Sequence, residues 1–259
     1  MKNIIFYLCL LIAQIVTMPI CAKALSEGTP TNITIRAKAM DAKFIGSSIG
    51  GAMVIIRDAD SGEILAKGLT QGSTGDTTKI MKTPRERFQS IADGAAHFTA
   101  TLNISEPVFL TVEVLAPYIK KQARVMAQTQ TWLVPGKPIS DDGLIVEIPG
   151  MLVDLLSPQT HLYTGLDQSP FEIRANVVMM CGCSLTDGGL WDGSKIEVVA
   201  LVKRDGKSFA QVPLEIQEAM NTFSAPFATD LPGVYEIVLY AYDPMTGNTG
   251  VDRGSFIVR

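Results

Sequence analysis

"AMVIIRDADSGEILAKGLT", residues 52–70, places two short runs rich in Val, Ile and Leu on either side of an Asp-Ser-Gly turn. Such runs, bounded by turn residues, read as strands, and the short break between them makes the pair a β-hairpin. The pattern extends in both directions. "TNITIRAKAMDA" (31–42) alternates Ile33 and Ile35 with polar positions, as a half-buried strand does. "DGAAHFTATLNISEPVFLTVEVLAP" (93–117) holds two more strands joined near "NISEP", and "QTWLVPG" and "LIVEIPG" close a first unit.

Beyond Pro149-Gly150 and the turn-rich "SPQTHLYTGLDQSP" (157–170), a second unit repeats the theme. Its strands are "FEIRANVVMM", "KIEVVALVKRDG", "KSFAQVPLEI", "NTFSAPFA", "GVYEIVLYAYD" and "GSFIVR". Turn signals recur at intervals of about ten residues, the spacing of all-β sandwiches. Nothing resembles the crossover helices that a parallel sheet requires; "TPRERFQSIA" (83–92) is the one helical candidate. The expected fold is all-β, with two consecutive antiparallel β-sandwich domains at 25–150 and 171–259 joined by a linker at 151–170.

The first 24 residues read as a cleaved signal peptide: Lys2, an apolar run from Ile4 to Val16, and Ala22 and Ala24 in the small-x-small arrangement of a cleavage site. The run is too short to span a bilayer comfortably. Lipid attachment at Cys21 is disfavoured by the bulky Ile20 before it. Cleavage after Ala24 removes Cys9, Cys21, Lys2 and Lys23, so the charge of the exported chain is more negative than the −4 of the whole sequence. An acidic chain without a basic stripe excludes nucleic acid as the expected partner. No further stretch approaches transmembrane length, so the expected location is the periplasm or the cell surface of a bacterium.

The first unit, through "GGAMVIIRDADSGEILAKGLT" and the "D-G-x-a-x-F" entry at Asp93, Gly94, Ala96 and Phe98, resembles transthyretin-like or carboxypeptidase-regulatory-like sandwiches of exported bacterial proteins. The second, through "PGVYEIVLYAYDPMTGNTGVDRGSFIVR" with Tyr235, Ala241, Asp243, Gly247 and Asn248 at the signature places, is similar to bacterial immunoglobulin-like repeats. These likenesses imply a fold; function has to be argued from sites. Along "GVYEIVLYAYD", Tyr235, Ile237, Leu239 and Ala241 share one face, while Glu236, Val238, Tyr240 and Tyr242 share the other. That second face is too apolar for solvent, so it calls for a sheet partner, the neighbouring domain or an external protein.

Catalytic sets are scarce. His97 and His161 sit in no zinc spacing, and no G-x-S-x-G elbow occurs. "GLTQGSTGDTTK" (68–79) lacks the G-K-[ST] of a phosphate loop and reads as a surface loop. Asp58, Asp60 and Glu63 suggest calcium, but the hairpin supplies no further ligands in the required order. Reactive side chains gather only in "VVMMCGCSLTDGG" (177–189). Cys181 and Cys183 read first as a local disulfide in an oxidising compartment. As thiolates, with the Met179 thioether, they form a soft set suited to copper(I), and as a free pair they would be redox-active. Trp191, in the long loop that follows, is the expected partner contact. The expected function is therefore a non-enzymatic structural or interaction module engaging an envelope protein or assembly. No small-molecule substrate is identified, and the alternatives are a periplasmic copper protein or a thiol-redox protein using Cys181 and Cys183.

Overall fold

The computed structural model describes residues 28–259. The signal-peptide reading, Cys9 and Cys21 lie outside the described residues. In chain order the strands are β1 (Thr29–Ala39), β2 (Met53–Asp58), β3 (Ile64–Leu69), β4 (Phe98–Ile104), β5 (Val108–Ala116), β6 (Val125–Leu133) and β7 (Ile139–Ile148). They continue with β8 (Met151–Ser157), β9 (Leu162–Thr164), β10 (Phe171–Met179), β11 (Glu197–Arg204), β12 (Lys207–Ile216), β13 (Thr222–Phe227), β14 (Gly233–Tyr242) and β15 (Thr249–Val258).

The N-terminal sandwich packs a three-stranded sheet, β4-β1-β7, on a four-stranded one, β3-β2-β5-β6. The hairpin of residues 52–70 forms as expected. Met53 pairs with Leu69 and Ile55 with Lys67. The Asp58 carboxylate accepts from the Asp60 and Ser61 amides and the Ser61 hydroxyl, which closes the turn and occupies the oxygen that a calcium reading would use. Ile33, Ile35 and Ala37 of β1 meet Val54 and Ile56 of β2 and Leu110, Val112 and Val114 of β5 in the core.

Three features depart from the sequence reading. The β1–β7 ladder is parallel, as is the short β15–β9 ladder, within otherwise antiparallel sheets. Residues 83–92 form no helix; a π-helical turn occurs instead at Thr78–Lys82. The 83–92 stretch is held by tertiary contacts: Asp142 accepts from the Ser90 hydroxyl and the Ile91 and Ala92 amides, and Phe88 takes a positive φ of 68° that no helix allows. Finally, the stretch at 151–170 carries β8, paired with β10, and β9, paired with β15.

In the C-terminal part the strands run β8-β10-β13-β12-β11-β14-β15-β9 as one continuous ladder. β12 belongs to two layers. Its Lys207–Leu214 portion pairs with β11, whereas Glu215 and Ile216 pair with β13, so the ladder folds over on itself into a sandwich. Ile173, Ala175 and Val177 fill the interior together with Tyr235, Ile237, Leu239, Phe223, Phe227 and Phe256, and the Tyr235 and Phe256 rings stack 5.2 Å apart.

Candidate functional site

The predicted site residues converge on the junction between the two sandwiches. β10 ends in a tight turn: the Gly182 amide donates to Met179 O (2.7 Å), the Met179 amide to Cys183 O (3.0 Å), and Gly182 adopts a positive φ of 78°. This turn brings the Cα atoms of Cys181 and Cys183 to 5.4 Å, and the two are joined as a disulfide. Cys181 is 1% exposed, and Met179 and Met180 are core residues. A Cβ on Gly182 would meet Ile49 Cδ1 at 3.2 Å, so the turn rests against the N-terminal sandwich. A groove of about 290 Å³ runs along it between Lys43, Ser48 and Thr74 on one side and the disulfide and Trp191 on the other.

The loop after the disulfide is ordered by its own polar groups. Asp192 accepts from the Gly188 and Ser194 amides and the Ser194 hydroxyl. The Ser194 hydroxyl first, then the Gly188 amide, hold the Asp192 carboxyl down to about 2. Trp191 is thereby aimed back at the chain. Its indole N–H donates to Asp41 O at 2.8 Å, so the half-buried Trp191 contacts the turn after β1.

Asn248 completes the joint. Fully buried, it accepts from the Gly150 amide (2.7 Å) and donates to Met40 O (3.1 Å), tying the turn before β15 to the β7–β8 connection and to the turn after β1. Lys120 reaches across to Asp154 at 2.6 Å. Asp41, at φ 54° in that turn, lines a cleft of about 190 Å³ with Asp192, Lys195 and Asp243; burial first, then the Asp243 charge, pushes its carboxyl above the ordinary range. Asn248 reads in the sequence as a turn residue only, and its bracketing role was legible in no local signal.

The sulfurs are bonded to each other, so copper or thiol chemistry would require their reduction first. Neither histidine approaches them: His97 contacts Ala95 O, and His161 packs on Tyr163 and donates its amide to Ser255 O. Among the described residues no group of three or more His, Cys, Asp or Glu is placed to hold a metal ion.

A concavity of about 700 Å³ lies elsewhere, over the β1–β7 sheet. Its floor is Arg36, a buried cation in β1 that donates to the Asp141, Asp142, Ala95 and Ala96 carbonyls. Every one of these acceptors is backbone, so the guanidinium serves to pin the 83–97 segment over the sheet rather than to present charge to a ligand. Burial lowers its pKa, partly offset by Asp142 and Asp93.

The second face of β14 lies open. Tyr240 stands between Val199 of β11 and Val251 of β15, and Val238 between Leu201 and Arg253. Leu201, Tyr242 and Val251 are exposed and Val238 and Tyr240 are half-buried, whereas Val199 beside Tyr240 is buried. The Tyr240 hydroxyl donates to Glu197 at 2.5 Å. No known protein-family model matches the chain, and no curated protein is significantly similar to it.

Proposed function

We propose that the protein is a non-enzymatic, exported component of the bacterial cell envelope, a two-sandwich interaction module whose joint is fixed by the disulfide turn, Trp191 and Asn248. Export is supported by the apolar run Ile4–Val16 with the Ala22/Ala24 pair. A transthyretin-like N-terminal sandwich is supported by the Asp/Gly-turned hairpin and by the strand entry at Asp93–Phe98. An immunoglobulin-like C-terminal sandwich is supported by Tyr235, whose hydroxyl reaches back to Leu231 O at 2.8 Å as the tyrosine corner of such domains does.

The observation that carries the reading is the outward apolar face built by Leu201, Val238, Tyr240 and Val251. A rigid platform with aromatic and aliphatic side chains on one open face suits a protein partner of the envelope better than a small substrate. The test is in-cell crosslinking of the wild type against Leu201→Lys and Val251→Lys variants with unchanged melting temperatures. Loss of one discrete adduct in both variants is expected. An adduct pattern that ignores both substitutions would overturn the assignment of this face.

A further inference from the structure

β6 is a sheet edge left open. Its single ladder partner among the described residues is β5, which it matches over nine residues without a bulge, from Val108↔Leu133 to Ala116↔Val125. The row of amides and carbonyls on its other side meets no other backbone group. Natural sheets blunt such edges with charge, proline, bulges or a covering element, because a free ladder recruits another strand.

The remaining edges, β4 excepted, carry such devices or are very short. β3 has Lys67, and the Phe98 ring lies over its Gly68. β7 has Asp141, Asp142 and Glu147, β8 has Asp154 capped by Lys120, and β9 is three residues long. β4 is uncharged, but its exposed side chains are Thr99, Thr101 and Asn103. β6, "VMAQTQTWL", has no charge and no proline, and it exposes Met126 (58%) and Trp132 (59%). The flanking charge of Arg124 is turned away onto the Tyr118 ring.

We infer that β6 pairs with β6 of a second copy of this chain, antiparallel about Thr129, joining two four-stranded sheets into one of eight. The occupant follows from the strand's self-complementarity. The register centred on Thr129 is the one that uses all nine residues, and it sets each residue against one of the same parity. Outward side chains therefore stay outward, and free backbone groups meet free backbone groups. It places Met126 against the partner's Trp132, a thioether on an aromatic ring, at both ends of the contact. Gln128 faces the partner's Gln130, two neutral amides that each donate and accept, and no like charges are opposed. On each copy the Trp132 ring already lies against Phe109, 4.9 Å away, so the apolar strip continues into β5. The inference stands on the geometry of β6 and does not depend on the envelope role proposed above.

The test is sedimentation of the purified protein over a wide concentration range, with the Gln128→Lys/Gln130→Lys variant alongside. Both side chains are solvent-facing in the single chain, so the variant should keep its melting temperature while setting lysine against lysine across the pair. The expected result is twice the mass of one chain for the wild type and more than tenfold weaker association for the variant. A register check mixes Gln128→Cys protein with Gln130→Cys protein; oxidation should link the mixture, and neither protein alone. A wild type with the mass of a single chain at every concentration would sink the inference, as would a dimer that survives the lysines and gives no mixed crosslink.

Discussion

The indole nitrogen of Trp191 lies 2.8 Å from the carbonyl oxygen of Asp41, 150 residues away in the chain. Asp192 orders the loop, the loop aims the tryptophan, and the tryptophan closes on the turn at the end of β1. Because Asn248 brackets the same turn through Met40, the two sandwiches are coupled at adjacent residues of one short turn. Contacts at adjacent residues of one turn hold the two sandwiches together there.

Trp191→Phe keeps an aromatic ring in the joint and deletes the hydrogen bond. A loss of about 1 kcal/mol in urea unfolding is expected, the usual net worth of such a bond. The variant also leaves Trp132 as the one tryptophan. Its fluorescence should be quenched freely by acrylamide at concentrations low enough to leave the protein as a single chain, where that side chain is exposed.

Asn248→Ala should cost more. The side chain is the partner of both the Gly150 amide and the Met40 carbonyl in a fully buried position. Orphaning two buried backbone groups predicts a loss of about 2–4 kcal/mol. The loss should add nearly nothing to that of Trp191→Phe if the joint has already opened, and a double-mutant cycle measures this coupling.

Arg36→Met removes the donor shared by four carbonyls and should free the 83–97 segment without collapsing the sandwich. Arg85 and Arg87 are exposed there, beside a Phe88 that is 89% exposed. Limited trypsin digestion should cut at these arginines at least about tenfold faster than in the wild type, which corresponds to about 1.4 kcal/mol in the local opening equilibrium. Unchanged cleavage would mean that the Asp142 contacts alone hold the segment.

The hairpin at 52–70 was legible because every determinant is local: Asp58 closes its own turn and Gly62 adopts a positive φ of 75°. β14 was legible for the same reason, and its unsatisfied second face was visible as alternating Val238, Tyr240 and Tyr242. The parallel β1–β7 pairing and the change of layer within β12 are set by chain segments far apart, and no periodicity encodes them. β8 was hidden by what surrounds it, since Met151–Ser157 is followed by turn residues and reads with them as a linker. Residues 83–92 have a helical composition, yet Asp142 offers their hydroxyl and amides better partners than a helix would. The gathering of Met179, Cys181, Cys183 and Trp191 was legible, but not its purpose, because Ile49, Asp41 and Asn248 enter from turns elsewhere in the chain.

Asp41 makes the joint sensitive to pH. Its carboxyl is pushed up, first by burial and then by Asp243. A folded-state value above the unfolded one means that the contribution to stability is present below the unfolded value, near 3.8, and is lost as pH rises through the folded one. Asp41→Asn removes that titration and suits the positive φ of 54° better. The variant should therefore melt higher than the wild type at pH 7, with the difference shrinking as pH falls towards 4. Asp192 works in the opposite sense. Held down to about 2, it supports the loop above its unfolded value and releases it as pH falls towards 2, so Asp192→Ala should flatten the acid limb of the stability curve.

The disulfide separates the mechanical reading from copper or redox chemistry. A bridge across a single intervening residue closes so small a loop that its removal returns little entropy to the unfolded chain, worth about 1–2 kcal/mol. Cys181→Ser/Cys183→Ser should therefore fold, melt slightly lower and keep the Trp191 contact, with all crosslinked adducts of the wild type retained. Purification without reductant or chelator should give no free thiols and no copper. About one copper per chain, lost in the double variant, would instead assign Cys181 and Cys183 as ligands and move the function of the junction from holding domains to holding metal.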